Sequence, residues 1–131
     1  MHFSFPDGNA VRINCHDSDS LLAEVRQRLT DGRGFAITTI NVDHLQRLAD
    51  EAEFRRAYAA HDLVCADGNP IVWLSRIAGR PVALAPGSDL VLPLAAEAAA
   101  RGAGKGAVCH VTGIFRWPYA GLRIPKAVRF V

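Results

Sequence analysis

Polar side chains that could bind or activate a hydroxyl group follow two apolar runs of the sequence. Thr39 and Asn41 end the run FAITTIN, and His44 comes one helical turn later. Asp67 ends the second run, DLVCA, and opens the segment DGNP. A partly buried carboxylate can act as a general base, and hydroxyl or amide groups can hydrogen-bond the hydroxyls and carbonyls of a ligand. These positions are therefore candidates for a base and its neighbours.

Each candidate also has a purely structural interpretation. An Asp-Gly pair forms a turn with its carboxylate in water, and spacing does not decide between that and a base at Asp67. Asn41 can cap a helix that starts at Val42, which is its better-supported role. His44 either packs within that helix or faces a ligand. No second histidine stands at metal-ligand spacing, so no metal site is predicted.

Strands and helices alternate along the chain around these residues. A hairpin is predicted around PDGN, and buried strands at FAITTIN, DLVCA and GAVCHVTGIF. Helices are predicted between them, at LLAEVRQRL, VDHLQRLADEAEFRRAYAAH, IVWLSRIAG and DLVLPLAAEAAARG. This order predicts an α/β domain with a mainly parallel sheet and an N-terminal β-hairpin. Ligands of such sheets bind beyond the carboxyl ends of the strands, where both polar clusters fall.

Helix-end signals make three further predictions. Asn69 is predicted to cap a helix that has Pro70 at its first position. Ser88 is predicted to cap the alanine-rich helix. Pro93 stands beyond the first turn of that helix, so the helix is predicted to start later or to bend there.

Size and composition limit the class of protein. The 131 residues, 50% of them hydrophobic, suffice for one domain with a core. Three widely spaced cysteines fit neither a disulfide framework nor a zinc site, which favours a reducing compartment. The N-terminus has no features of a signal peptide, and no run of about 18 apolar residues predicts a membrane span. Neither the dinucleotide fingerprint nor the P-loop is present.

Charge is distributed unevenly along the chain. All 13 acidic residues lie within 1–97, whereas 98–131 contain only basic charges. The six basic residues of that segment are Arg101, Lys105, Arg116, Arg123, Lys126 and Arg129. One interpretation is an anionic partner such as a membrane surface, and the other is an ordinary solvated surface. A nucleic-acid partner is not predicted.

Three segments, taken together, resemble the WecB/TagA/CpsF glycosyltransferase family. They are TTINVDHLQRL, FRRAYAAHDLVCADGNPIVW and PGSDLV, in the family's order. The resemblance covers residues 1–101 and is most specific over 37–91. Its strongest part is the T-x-N-x-x-H block, whose Thr39 stands 28 residues before the Asp67 of A-D-G-x-P.

The resemblance implies a Rossmann-like α/β fold and a metal-independent, inverting hexosyltransferase without a cofactor. The donor would be a UDP-sugar, with N-acetylmannosamine or a related sugar transferred. The acceptor would be a polyprenyl-diphosphate-linked sugar, in cell-surface polysaccharide synthesis. The implied location is cytoplasmic, at the inner face of the cell membrane.

The resemblance also assigns site residues by position. Asp67 resembles the family's proposed base, with Thr39 and Asn41 beside the base and the acceptor sugar. The predicted catalytic residues are Asp67 and Thr39. The predicted substrate-binding residues are Asn41, His44, Asn69, Gly87, Ser88 and Asp89. The last three match the family's G-x-D segment at a helix start, where backbone N–H groups suit a phosphate or a sugar.

Two features depart from the family pattern. Many members carry an arginine just before G-x-D, and here Arg76 and Arg80 are the nearest arginines. Residues 102–131 do not align and are expected to be a basic, divergent tail with one further strand, the product of truncation or a frameshift. Two alternatives therefore stand beside the enzyme: an inactive fragment or pseudo-enzyme of the family, and a small module that binds anionic membrane.

Overall fold

The structure is a computed structural model that describes residues 1–101, apart from Asp7 and Asn9, and the backbone of two short strands further on. The strands are β1 (His2–Ser4), β2 (Ala10–Arg12), β3 (Phe35–Ile40), β4 (Leu63–Ala66), β5 (Val108–Cys109) and β6 (Val128–Phe130). The helices of the described part are α1 (Ser18–Thr30), α2 (Val42–Asp50), α3 (Ala52–Ala59), α4 (Asn69–Ile77) and α5 (Gly87–Ala100).

The strands form an antiparallel hairpin and a parallel sheet. β1 pairs with β2 around the predicted PDGN turn. The second sheet has the order β4-β3-β6-β5, and each neighbouring pair is parallel. Helices join the parallel strands β3 and β4, as crossover connections must. The predicted α/β class, with its parallel sheet and N-terminal hairpin, is thus confirmed.

Side chains of β3 and β4 alternate between two hydrophobic clusters. Ile37 and Cys65 face one cluster, which includes residues of α1 and α5. Ile40 and Ala66 face the other, which includes the hairpin and residues of α2, α3 and α4. Because the side-chain period of a strand is two residues, the polar residue after Ala66 returns to the α5 side of the sheet. This alternation directs the end of β4 toward the start of α5.

Two of the predicted helix caps are wrong. The N-cap of α4 is Gly68 and Asn69 is already helical, so Pro70 is the second helical residue instead of the predicted first. The N-cap of α5 is Pro86, and Ser88 Oγ donates to the Asp89 carboxylate instead of capping. Proline is extended at this cap and glycine provides the turn at the other, so backbone geometry rather than a side-chain oxygen starts both helices.

Pro93 lies inside α5 and does not delay its start. The helix begins at Gly87 and runs to Ala100. Proline has no N–H to donate to the carbonyl of Asp89, so the helix lacks one internal bond there. Buried Leu90, Leu94 and neighbouring side chains compensate through packing in the core.

The sheet has one strand that sequence patterns did not predict, β6, which pairs between β3 and β5. Within the predicted strand GAVCHVTGIF, Val108–Cys109 is a strand, and the remainder lies outside the described residues. The other expectations for 102–131 lie outside them too. Of the described helices, none combines the length and the apolar character that crossing a bilayer requires.

Candidate active site

Asp67 stands at the carboxyl end of β4, held by its own backbone. Its N–H donates to the Ile40 carbonyl over 2.8 Å, which extends the β3–β4 ladder by one step. Gly68 then adopts φ +99°, a conformation that L side chains rarely tolerate, and the chain turns into α4. The glycine turn therefore leaves the half-buried carboxylate at the edge of the sheet, where α/β proteins bind ligands.

Three elements meet at the Asp67 carboxylate. Thr39 Oγ1 donates to Asp67 Oδ2 over 3.1 Å, and the Gly87 N–H points to the same oxygen at 3.5 Å. A methyl group at Gly87 would lie 3.5 Å from Thr39 Oγ1 and 3.9 Å from Asp67 Oδ2. The structure thus brings together Thr39, Asp67 and Gly87, three of the predicted site residues, around one carboxylate oxygen.

Asn41 has the capping role predicted as the alternative to ligand binding. Its Oδ1 accepts a 2.9 Å hydrogen bond from the backbone N–H of His44, and α2 starts at Val42. The cap orients the first turn of α2 just beyond the end of β3. Capping occupies Oδ1 and fixes the side chain close to the strand end that carries Thr39.

Half-buried His44 directs its Nδ1 toward the protein. Its Nδ1 lies 3.0 Å from the Thr39 carbonyl oxygen and 2.6 Å from the Tyr58 hydroxyl. Tyr58 in turn donates to the Thr39 carbonyl over 2.7 Å. Phe54 packs edge-on against both rings. The backbone of Thr39 is therefore held from the α2–α3 side while its hydroxyl reaches Asp67.

The remaining predicted site residues follow Asp67 or begin α5, and none of them has a described hydrogen bond to the Asp67 carboxylate. Asn69 is exposed in the first turn of α4. Ser88 and Asp89 are exposed in the first turn of α5 and bond to each other over 3.1 Å. The N–H of Asp89 donates to the Pro86 carbonyl over 3.0 Å. These side chains border the Asp67 edge of the sheet but are not part of the hydrogen bonds around it.

Sequence reasoning missed Tyr58, which it treated as one more apolar position of a helix. The residue is only 4% exposed, and burial raises the pKa of its phenol to about 12. Its hydroxyl contacts the histidine of T-x-N-x-x-H, which lies 14 residues earlier in the chain. That spacing carries no rule, so the structure was needed to find it.

The chain segment that follows Asp67 carries only positive charge. No acidic residue occurs between Asp67 and Asp89, whereas Arg76 and Arg80 fall in that interval. The pKa of the Met1 amino group is lowered, first by burial and then by the charges of Arg80 and Arg12. Arg80, which follows α4, and Arg12 of β2 therefore both lie near the amino terminus. Over the described part of the chain, no three His, Cys, Asp or Glu side chains group closely enough to hold a metal ion.

The fold and the site define the class: an α/β protein with a carboxylate, hydrogen-bonded by a threonine hydroxyl, at the carboxyl edge of a parallel sheet. The chain matches the sequence model of the glycosyl transferase WecG/TagA/CpsF family over residues 8–109, and it belongs to that family. The matched segment contains every site residue discussed above. No curated protein and no solved structure matches the chain.

Proposed function

We propose that this glycosyltransferase moves N-acetylmannosamine or a related hexose from a UDP donor to a polyprenyl-diphosphate-linked sugar. The product would serve cell-surface polysaccharide synthesis at the inner face of the cell membrane. Membership of the family supports sugar transfer in general. The hydrogen bond between Thr39 and Asp67 is the observation that carries the proposal, because it fixes a carboxylate at the ligand-binding edge.

Asp67 is proposed as the general base of an inverting displacement. Both hydrogen bonds to its carboxylate in the described part of the chain fall on Oδ2, so Oδ1 is the oxygen proposed to take the acceptor's proton. As the acceptor oxygen bonds to the sugar's anomeric carbon, the bond from that carbon to the diphosphate breaks and UDP leaves with the electron pair. A sugar hydroxyl is a poor nucleophile, which is why a positioned base accelerates this step.

Substrate contacts are proposed for the residues that border Asp67. Asn41 and His44 stand at the end of β3, and Asn69 begins α4. We assign them to the acceptor side. Gly87, Ser88 and Asp89 form the first turn of α5, whose N-terminal dipole favours a phosphate or a polarised sugar hydroxyl.

The departing UDP needs stabilisation of its negative charge, since no metal or cofactor is proposed. The N-terminal dipole of α5 is one source. The acid-free interval containing Arg76 and Arg80 is the second, because its net positive charge attracts diphosphate. Turnover that persists in a chelator such as EDTA would support this metal-free assignment, and turnover restored only by added divalent metal would contradict it.

An anionic membrane is the proposed surface on which the enzyme meets its acceptor. Trp73, Leu74 and Ile77 are exposed on α4, on the side opposite buried Ile71 and Ser75. This helix starts two residues after the proposed base, so a lipid that contacts it would bring a lipid-linked sugar near Asp67. Tryptophan and aliphatic side chains flanked by arginine suit the interface of an anionic bilayer.

The test is turnover of UDP-sugar with a polyprenyl-diphosphate acceptor analogue. Asp67→Asn should lower kcat by about 100-fold to 10,000-fold, the usual contribution of a positioned base. Asp50→Asn, an exposed carboxylate at the end of α2, is the matched control and should retain turnover. Equal turnover by Asp67→Asn would exclude the base. No turnover by a chain that melts cooperatively would favour the inactive pseudo-enzyme.

A further inference from the structure

Tyr58, His44 and the Thr39 carbonyl lie within hydrogen-bonding distance of one another. The three separations are 2.7 Å from Tyr58 to the carbonyl oxygen, 3.0 Å from His44 Nδ1 to it, and 2.6 Å between the two side chains. A carbonyl oxygen can only accept, so we assign a proton to His44 Nδ1, which lies 3.0 Å away. The phenol then also donates to the carbonyl, and the imidazole N–H is shared between the two oxygens.

The Tyr58 phenol keeps its proton near neutral pH. Burial raises the pKa of Tyr58 to about 12, and the negative charge of Asp67 acts in the same direction. The side chain therefore stays neutral and protonated wherever the protein is folded near neutral pH. At this site its hydroxyl therefore contributes hydrogen bonds, one to the Thr39 carbonyl and one with the Thr38 side chain.

The Thr39 carbonyl lies beyond the described strand pairing on its side of β3. The Ile40 carbonyl accepts from the Asp67 N–H on the β4 side. The carbonyl of Thr39, one residue earlier, therefore faces the opposite side of the strand. On that side, the described pairing with β6 ends at Ile37. Tyr58 and His44 thus supply the donors that a strand partner would otherwise give to this partly buried carbonyl.

We propose that Tyr58 is a positioning residue for the glycosyl transfer assigned above. By holding the Thr39 carbonyl, it fixes the backbone from which Thr39 Oγ1 donates to Asp67 Oδ2. That second bond orients the carboxylate so that Oδ1 faces the acceptor. Tyr58 contacts no substrate in this role; it acts through Thr39. The inference rests on the proposed function for its kinetic consequence but not for its structural one.

The decisive variant is Tyr58→Phe, which removes one oxygen and keeps the ring against His44 and Phe54. We expect kcat to fall about 10-fold to 100-fold with KM nearly unchanged, because small misplacements of catalytic groups have effects of this size. By NMR of threonine methyl groups, Thr39 should change from one χ1 rotamer to several. Unchanged kcat together with an unchanged Thr39 rotamer would overturn the proposal.

Phe54→Leu is the matched control, since Phe54 packs on Tyr58 at 5.2 Å between ring centres but makes no bond to Thr39. It should lower Tm while leaving kcat and the Thr39 rotamer as in the wild type. If instead Phe54→Leu reproduces the effects of Tyr58→Phe, Tyr58 acts through packing alone and the proposal is wrong.

A second pair of variants covers the case in which Tyr58→Phe does not fold. His44→Asn keeps an N–H donor near the position of Nδ1, whereas His44→Leu removes it. The single Thr39 rotamer should survive the first change and be lost in the second; identical spectra would overturn the proposal. Because this readout needs no substrate, a wild type without turnover would refute the proposed function and leave the positioning role decided by the Thr39 signal.

Discussion

Thr39 and Asp67 lie 28 residues apart in the chain and are joined by a 3.1 Å hydrogen bond at the ends of adjacent parallel strands. The register places Thr39 opposite Cys65, so the carboxylate two residues later falls on the same side of the sheet. Parallel pairing makes both strands end at one edge, and the two-residue side-chain period makes both groups face α5. A polar pair distant in sequence thus becomes one site through register alone.

Replacement of Gly87 by alanine should separate stability from activity. The added Cβ would lie 3.5 Å from Thr39 and 3.9 Å from the Asp67 carboxylate, which are ordinary contact distances, so the fold should accept it. Alanine also favours a helix start over glycine by up to about 1 kcal/mol. The methyl would nevertheless occupy space beside the carboxylate that is proposed as the base. We expect an unchanged or higher Tm and a loss of turnover of about 10-fold or more.

Gly34→Ala is the matched control for that experiment. Gly34 precedes β3, and a Cβ there meets no atom of the described residues within 4 Å. Tm and turnover should both remain close to those of the wild type. Full turnover by Gly87→Ala would show that the substrate does not use the space between α5 and Asp67.

Stability should fall in acid partly through Asp62. The backbone N–H of Ala36 and then the Arg28 guanidinium lower the pKa of this carboxyl. A lowered folded-state pKa stabilises the fold above the unfolded value of about 3.9, and this contribution is lost as pH falls through the folded-state pKa. Because the carboxylate is largely exposed, the contribution is at most about 1 kcal/mol.

Urea unfolding at pH 7 and at a series of pH values below 4 would measure this effect. Asp62→Asn keeps an oxygen to accept from Ala36 but cannot ionise, so its free energy of unfolding should depend less on pH than that of the wild type. Asp50→Asn should keep the wild-type dependence. Parallel curves for Asp62→Asn and wild type would show that other carboxylates account for the acid loss.

Much of the fold could be predicted from the sequence because the apolar residues of a local segment indicate which of its faces are buried. FAITTIN and DLVCA are apolar and β-branched, as strands covered on both faces must be, and both form strands of the parallel sheet. Asn41 was identified as a cap by residue type alone. Asp17 caps α1 in the same way, because its side chain accepts from the Ser20 N–H.

The errors arose where backbone geometry outweighed residue type. Ser88 and Asn69 are good capping residues, yet the helices begin one or more positions earlier, at turns made by Pro86 and Gly68. Strand β6 has no alternation to read in three residues and owes its pairing to β3 and β5. Tyr58 was missed because its partner is a backbone carbonyl, which has no signature in sequence.

Exposed apolar residues on α4 lead to the last prediction, which concerns the membrane. Trp73 is 58% exposed and Ile77, one turn later, is 84% exposed. Arg76 lies on the same helix, and Arg80 follows it. Residues 68–88, which include both arginines, contain no acid, and residues 102–131 contain none either. Anionic lipid carries the charge that is complementary to these basic segments. We expect the chain to bind vesicles containing phosphatidylserine and to release them as salt screens the attraction.

Binding should be measured by co-sedimentation with such vesicles and by quenching from brominated lipid. Trp117→Phe leaves Trp73 as the single tryptophan, so quenching in that variant reports α4 directly. Arg76→Gln should weaken binding about 5-fold, the value of one arginine near an anionic surface. Ile77→Asp should weaken it further, whereas Leu92→Asp, at a 69% exposed position on α5, should not. Unquenched Trp73, or a second copy of the chain covering it in sedimentation analysis, would contradict membrane contact by this face.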